Sequence, residues 1–212
     1  FTASRVLIVA GKGGVGKTTV SATLALSAAR QGLRVLVVDL EGKSSLGGML
    51  AVDSVTYEPT AVDLAGRFGI SSGSVHVRLL TPDAALVDYL STHGLGRISN
   101  RMSKAGIVDI VSTATPGLRD LLVLGKIKQL ENSNDFDLTI VDAPAAGHAV
   151  TFLRSPKGVQ QSVASGALNS QATEVLEMLG DPKRCSVVLV TLPEETPVNE
   201  LVQTAYTLED EV

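Results

Sequence analysis

The sequence predicts an α/β protein with three layers, in which a mainly parallel sheet is covered by helices on both faces. Short β-branched runs alternate with longer segments of helical spacing along most of the 212 residues, which is typical of parallel sheets. Hydrophobic residues make up 44% of the chain but aromatic residues only 3%, so we expect an aliphatic core. The length favours one domain over residues 1–212.

The predicted elements alternate regularly. Strands are predicted at residues 5–10, 34–39, 75–80, 138–142 and 186–191. Helices are predicted at residues 17–30, 82–91, 98–111, 118–131, 171–179 and 197–208. Residues 82–131 contain no convincing strand. We expect a helical insertion there, and its apolar stripes indicate either plain core or a surface for partner recognition.

Composition argues against several classes of function. A formal net charge of −4 is unfavourable for broad nucleic-acid binding, which needs a basic surface, so no nucleic-acid partner is expected. A local basic cluster (Arg97, Arg101, Lys104) is expected to be a solvated helix face. No apolar run approaches the roughly 20 residues of a transmembrane helix, and no signal peptide is visible. The single cysteine, Cys185, fits a buried strand position in a protein of the reducing cytoplasm.

One segment carries the pattern G-x-x-x-x-G-K-[ST] of a phosphate-binding loop: Gly11-Lys12-Gly13-Gly14-Val15-Gly16-Lys17-Thr18. It follows a predicted buried strand and precedes a predicted helix. Glycines allow backbone N–H groups to surround a phosphate, and the positive end of the helix dipole faces the same anion. We expect ATP or ADP to bind along this loop and Thr19, with Lys17 on the β- and γ-phosphates and Thr18 on Mg²⁺. The alternative is a glycine-rich turn that binds nothing.

Acidic residues at two strand ends extend the predicted site. Asp142 ends the apolar run 138–142, which is the Walker B form, and is expected to hold a Mg²⁺-bound water. A capping aspartate is the alternative reading. Asp39 ends the strand 34–39 and is expected near Mg²⁺ or its waters, with a polar strand end as the alternative.

The second lysine of the loop, Lys12, gives the form KGGVGKTT, which resembles the deviant Walker A motif of one class (SIMIBI) of P-loop NTPases. That class includes the Min and Par positioning ATPases, nitrogenase iron protein, the arsenical-pump ATPases and the tail-anchored-protein targeting ATPases. In the class, the early lysine reaches the nucleotide of the other subunit. The resemblance therefore implies that Lys12 supplies a cation in trans to the transferred phosphoryl group. An exposed loop lysine is the alternative.

Further segments resemble the arsenical-pump and tail-anchored-protein targeting ATPases, and we identify the chain as similar to a bacterial homologue. Asp142-Ala143-Pro144-Ala145-Ala146-Gly147-His148 resembles that family's switch II segment D-T-A-P-T-G-H. The resemblance implies that Gly147 donates its N–H toward the γ-phosphate and permits loop movement. His148 either senses the nucleotide state or packs beside the loop. Residues 115–120 and 191–200 are similar to two more segments of the family.

Position 41 departs from the related families. Asp39-Leu40-Glu41 stands where Min and Par relatives read D-x-D and where the second acid of the arsenical-pump ATPases begins D-P-A. The resemblance implies that Glu41 orients the attacking water in place of an aspartate. One extra methylene moves the carboxylate oxygens, which affects the rate more than the role. Ser44 is implied to belong to switch I near the metal.

The resemblance implies a cytoplasmic, Mg²⁺-dependent ATPase that dimerises on binding ATP, as a homodimer or with a paralogue. Hydrolysis would be coupled to a protein client or a membrane transporter, which would make the protein at most peripheral to the membrane. Metalloid-binding cysteine sets and the zinc-binding Cys-x-x-Cys of family members are missing from the sequence, so a dedicated arsenite pump motor is disfavoured. Family members continue into a strand whose asparagine helps recognise adenine, so we expect a C-terminally truncated chain.

Two alternatives remain open at this point. A Min- or Par-type positioning ATPase would need a terminal amphipathic helix or a basic patch, and the sequence shows neither. A nucleotide-binding switch with negligible turnover is compatible with the substitution at Glu41. A kinase with an ordinary phosphate-binding loop would leave Lys12 without a task.

Overall fold

The structure, a computed structural model, describes residues 3–42, 45–92 and 116–212. These ranges form the predicted α/β architecture of one sheet flanked by helices. The elements are, in chain order, β1 (Val6–Gly11), α1 (Lys17–Arg30), β2 (Arg34–Asp39), α2 (Ser45–Met49), β3 (Thr60–Ala61), α3 (Leu64–Phe68), β4 (Ser74–Leu79), α4 (Pro82–Thr92), α5 (Pro116–Ser133), β5 (Leu138–Ala145), α6 (Ala146–Ser162), α7 (Ala167–Gly180), β6 (Cys185–Val190) and α8 (Glu195–Glu211).

The order of the six strands is β3-β4-β2-β5-β1-β6, and every pairing is parallel except that of β3 with β4. Strand β5 lies between β1 and β2, so the carboxyl ends of these three strands meet at one edge of the sheet. Asp39 is aligned with Asp142, and Gly11 is aligned with both Ala145 and Val190. Ligands of open α/β sheets bind at this kind of edge.

The sheet is buried on both faces because its central strands are continuous aliphatic runs. On one face, α1 packs through small side chains that allow a close approach to the strands; those buried are Ser21, Ala22, Ala25, Ala28 and Ala29. On the other face, α5, α6 and α7 cover the sheet with larger side chains, including Leu121, Leu124, Ile127 and Leu153. Burying each such side chain contributes about 1.5–3 kcal/mol to folding.

The five predicted strands are all present, and four of them lie within one residue of the predicted bounds. The exception is β5, which continues three residues past Asp142 to Ala145. Helix α1 has its predicted bounds, whereas α5, α7 and α8 are longer than predicted at both ends. The sequence pattern did not predict α2, β3, α3 or α6.

Helix α6 is the largest element missed by the sequence analysis, and Pro156 in its interior explains why. Proline lacks an N–H and normally breaks the helical hydrogen bond to the carbonyl four residues earlier. Here that carbonyl belongs to Phe152, and the buried Ser155 hydroxyl donates to it over 2.8 Å. A side chain therefore replaces the donor that the proline removes.

The described parts of the predicted insertion are α4 and α5. Helix α4 packs against α5, and both contribute buried residues such as Leu86 and Leu122 to the core on this side of the sheet. This packing fits the plain-core interpretation of their apolar stripes. The predicted helix at residues 98–111 and the basic cluster of Arg97, Arg101 and Lys104 lie outside the described residues.

Cys185 begins β6 and is buried, as predicted, and burial raises the pKa of its thiol to about 12. The thiol is therefore protonated and unreactive at neutral pH. Within the described ranges, no helix combines the length and the apolar character that crossing a bilayer requires.

Gly73, in the turn before β4, has a left-handed φ of 65°. An added Cβ would lie 2.5 Å from the carbonyl oxygens of Ala29 and Leu33, so the glycine allows β4 to approach the end of α1 and the start of β2. Gly69 has a similar φ of 62°, but an added Cβ there meets nothing within 4 Å.

We expect Gly73→Ala to lower the free energy of unfolding more than Gly69→Ala does. Both substitutions add left-handed strain of about 1–2 kcal/mol, and only Gly73→Ala adds a backbone clash of about 1–3 kcal/mol. Urea unfolding of both variants measures the difference. Equal losses would show that the turn before β4 moves aside without penalty.

Candidate functional site

The glycine-rich loop leaves β1 at Gly11 and enters α1 at Lys17. Gly14 and Gly16 have φ angles of 85° and 93°, a left-handed conformation that glycine adopts without strain. The buried Val15 side chain anchors the loop to the protein. At its base, an added Cβ on Gly11 would lie 2.2 Å from the Val190 carbonyl oxygen, so only glycine allows β1 and β6 to pair this closely here.

The upper side of the loop is open. An added Cβ on Gly13, Gly14 or Gly16 would meet no heavy atom within 4 Å. Gly16 caps α1 without a side-chain hydrogen bond, and the first turn of the helix contains no acidic residue. The first-turn N–H groups and the helix dipole therefore face an open space that suits an anion.

The two lysines of the loop point to different partners. The Lys17 ammonium donates to the Lys12 carbonyl oxygen over 3.4 Å, which places its charge across the loop. The Lys12 ammonium instead forms a 2.7 Å ion pair with Glu200 on α8. Lys17 thus lies across its own loop, whereas Lys12 is paired with a helix outside the loop.

Asp142 on β5 accepts hydrogen bonds from two hydroxyl groups of α1. Thr18 donates to one carboxylate oxygen over 2.8 Å, and Ser21 donates to the other over 3.1 Å. The Asp142 side chain is nearly inaccessible, with 8% of the residue exposed. Ser21 was missed by the sequence analysis, although its position three residues after Thr18 puts both hydroxyls on one face of the helix.

Asp39 lies beside Asp142 in the sheet and is 4% exposed. One of its carboxylate oxygens accepts the backbone N–H groups of Glu41 and Gly42, each over 2.9 Å. This turn fixes the chain immediately after β2. Asp39 is thus a structural anchor as well as a carboxylate next to the loop.

Burial raises the pKa of Asp142. The hydrogen bonds from Thr18 and Ser21 and the charge of Lys17 act in the opposite direction, while the charge of Asp39 raises the pKa further. Two neighbouring buried carboxylates favour a cation between or beside them.

The donor set fits Mg²⁺ held together with a phosphate. No cluster of three or more histidine, cysteine, aspartate or glutamate side chains occurs in the described part of the chain. Mg²⁺ does not need such a cluster, because it usually binds one or two carboxylates, several waters and the phosphates of a substrate. Thr18, Asp142 and Asp39 supply hard oxygen atoms next to the anion space.

Three further predicted residues, Glu41, Gly147 and His148, follow the ends of β2 and β5 at the same edge. The Glu41 side chain is exposed just past β2. Gly147 lies in the first turn of α6 and not in a loop, because the helix begins at Ala146; its N–H group is among those that a helix start leaves free of helical partners. His148 is exposed. Burial raises the pKa of the nearby Asp120. Ser44 lies outside the described residues.

Comparison with known proteins places this geometry in a family. Residues 4–167 match the family described as anion-transporting ATPase. The ATPase BagA of Mycobacterium tuberculosis is 34% identical over 206 residues, which cover 94% of this chain and 59% of that protein. A putative arsenical pump-driving ATPase of Halobacterium salinarum is 27% identical over 227 residues, covering 99% of this chain and 34% of that protein.

A more distant relative is the ATPase GET3 of Chaetomium globosum, which is 26% identical over 207 residues, covering 96% of this chain and 56% of that protein. The chain thus spans about three fifths of the length of its mycobacterial relatives. The family match takes in the whole glycine-rich loop and both acidic strand ends. This chain belongs to the anion-transporting ATPase family.

Proposed function

We propose that this chain binds ATP with Mg²⁺ and hydrolyses it to ADP and phosphate as a nucleotide-controlled dimer. The observation that carries the proposal is the hydrogen bond from Thr18 to Asp142 beside the open, uncapped start of α1. It joins a phosphate-binding helix end to the carboxylate that an ATPase needs near the metal.

The loop from Gly11 to Thr19 binds the phosphates of ATP or ADP. The space beside Gly13, Gly14 and Gly16 is open, which leaves room for a phosphate to accept from the loop N–H groups, and Lys17 adds a positive charge across the loop. A Cβ added to Gly13, Gly14 or Gly16 would meet no heavy atom within 4 Å, so no neighbouring side chain has to leave these positions when a phosphate binds.

Thr18, Asp142 and Asp39 form the metal side of the site, with Asp142 acting through a water molecule. When bound, Mg²⁺ neutralises negative charge on the phosphates. A hydroxyl group has one donor and two acceptor positions. The Thr18 oxygen would therefore be able to hold the cation while its hydroxyl keeps the hydrogen bond to Asp142.

In the proposed hydrolysis, the water oxygen bonds to the γ-phosphorus as the bond from that phosphorus to the β,γ-bridging oxygen breaks. One proton of the water passes to a γ-phosphate oxygen, and ADP and dihydrogen phosphate leave. Glu41 orients this water, and the Gly147 N–H group at the start of α6 donates to the γ-phosphate. Lys17 stabilises the phosphates in cis, while Lys12 of a second subunit stabilises the developing charge in trans.

The dimer is either a homodimer or a pair with a paralogue, and we propose a protein client or a membrane transporter as its further partner. The Lys12 side chain is half-buried at the surface and pairs with α8, whereas Lys17 crosses the loop, which fits a role for Lys12 other than binding the phosphates in cis. We propose a cytoplasmic location, at most peripheral to the membrane through that partner. The net charge of −4 supports a partner other than nucleic acid.

A nucleotide-binding switch with negligible turnover is the second candidate function. It is favoured by the exposed position of Glu41 and its extra methylene relative to aspartate. Phosphate release by the wild-type protein, measured together with its ATP-dependent dimerisation, separates the two candidates. Dimerisation without phosphate release would support the switch.

Gly13→Ala tests the phosphate space directly. An added Cβ would meet no protein atom within 4 Å, so the melting temperature without ATP should stay nearly constant. We expect ATP affinity to fall about tenfold or more, a change of about 1.4 kcal/mol, because the methyl group occupies the phosphate space. Thermal melting across a Mg²⁺-ATP titration measures both quantities.

Gly158→Ala is the matched control, because an added Cβ in α6 also meets nothing within 4 Å. It should keep the full ATP-dependent stabilisation. If Gly13→Ala kept it as well, the nucleotide would not bind over this loop.

Asp142→Asn tests the buried carboxylate through its pH dependence. Because burial raises the pKa of Asp142 above the unfolded value of about 3.9, its contribution to stability is full below about pH 4 and is lost as the pH rises through the folded pKa. Without nucleotide, we expect the variant to be at least as stable as wild type at pH 7, with this advantage shrinking toward pH 4. Mg²⁺-ATP should stabilise it less than wild type.

Asp137→Asn is the control of opposite sign, since hydrogen bonds from Arg34 lower the pKa of Asp137 to about 2. This variant should be less stable than wild type at pH 7, and its deficit should shrink between about pH 4 and pH 2. Urea unfolding over this pH range measures both variants. A loss of stability in Asp142→Asn at neutral pH would contradict the expectation that burying the charged Asp142 carboxylate destabilises the protein.

Lys12→Ala tests the action in trans. We expect the variant to bind ATP within a few-fold of wild-type affinity but to lose most phosphate release, since a trans cation contributes about 10³-fold or more in related phosphoryl transfers. Light scattering should show an ATP-dependent dimer for wild type and a weakened one for the variant. Equal turnover by the two proteins would contradict the proposal.

A further inference from the structure

The ion pair between Lys12 and Glu200 involves a helix, α8, that supplies no residue to the nucleotide site proposed above. Helix α8 follows β6, which is paired with β1 through Gly11 and Val190. This pairing brings the first turns of α8 to the start of the glycine-rich loop, where the Lys12 ammonium contacts the Glu200 carboxylate at 2.7 Å. The contact joins residues 188 positions apart in the sequence.

Glu200 lies on the side of α8 that packs against the protein and not on the side that faces solvent. Pro197 and Thr204, three residues before and four residues after it, are both buried. The Glu200 side chain is 42% exposed and that of Lys12 is 39% exposed. The carboxylate thus lies at the margin of the packed face, directly over the loop.

We infer that Glu200 is a positioning residue that holds the Lys12 ammonium on its own subunit and competes for it with the phosphates of the other subunit's nucleotide. This inference rests on the trans role of Lys12 in the proposed function. The contact with Glu200 holds Lys12 in cis. Dimerisation with ATP releases it from Glu200, and loss of the γ-phosphate allows it to return.

The ion pair with Glu200 is weak enough to shift the equilibrium between the two partners of Lys12 without preventing its transfer. A partly exposed ion pair contributes about 0.2–1 kcal/mol, whereas a triphosphate offers several negative charges and charge-assisted hydrogen bonds in a covered site. Lys12 therefore binds the triphosphate in preference to Glu200 when the dimer closes. Each lysine released should raise the ATP concentration needed for dimerisation by about 1.4- to 5-fold relative to a chain without the carboxylate.

The test compares Glu200→Gln with wild type, and Glu209→Gln, an exposed position of the same helix, is the control. Glutamine keeps the size of glutamate and removes its charge. First, acylation of Lys12 by an amine-reactive ester is followed by mass spectrometry without nucleotide. We expect Lys12 to react about 1.4- to 5-fold faster in Glu200→Gln, with no change in Glu209→Gln. An unchanged rate would overturn the inference whether or not the protein is an ATPase.

Second, light scattering measures the Mg²⁺-ATP concentration at half-maximal dimerisation. Glu200→Gln should lower it about 1.4- to 5-fold for each lysine released, and turnover at saturating ATP should stay within about twofold of wild type. The difference from wild type should shrink between about 0.05 M and 1 M KCl, because salt screens a surface ion pair. A merely structural loss would lower the melting temperature without this salt dependence.

The outcomes separate the two proposals. If wild type dimerises with ATP in a Lys12-dependent way but Glu200→Gln leaves the midpoint unchanged or raises it, the inference fails and the proposed function stands. If ATP causes neither dimerisation nor Lys12-dependent turnover in wild type, the proposed function fails, and the competition assigned to Glu200 fails with it.

Discussion

The hydrogen bond between the Thr18 hydroxyl and the Asp142 carboxylate is the contact on which the rest of the site depends. It joins the first turn of α1 to the central strand β5 over 2.8 Å and fixes the direction in which the helix start faces. The parallel pairing of β5 with both β1 and β2 makes the contact possible, since it brings three strand ends to one edge. The open glycine loop and the two buried acids are consequences of this arrangement.

The same arrangement keeps unfavourable charge inside the protein. Asp39 and Asp142 are buried side by side, and hydroxyl and backbone donors satisfy them only as hydrogen-bond acceptors. A site of this kind is less stable than an apolar one until a cation and an anion bind together. Stability and ligand binding are therefore coupled through the acids, in the way that functional sites often store strain.

The two loop lysines show how neighbouring residues of one motif acquire different tasks. Lys17 begins α1 and stays over the loop, whereas Lys12 lies before the turn and is held by a helix from the far end of the chain. In the proposed switch, one cation remains with its own nucleotide and the other changes partner. Helix α8, which lies next to the loop only because β6 pairs with β1, supplies the alternative partner.

The sequence by itself determined the glycine-rich loop, the five main strands and the acids at 39 and 142, because these depend on local residue type and on periodicity over a few residues. Tertiary structure alone decided the rest. The interior proline of α6 is tolerated because the Ser155 hydroxyl donates to the Phe152 carbonyl, which the proline leaves without a backbone donor. Ser21 reaches Asp142, and Glu200 reaches Lys12, across 121 and 188 positions of the chain. Such contacts follow from strand order, which brings distant segments together and leaves no pattern in the local sequence.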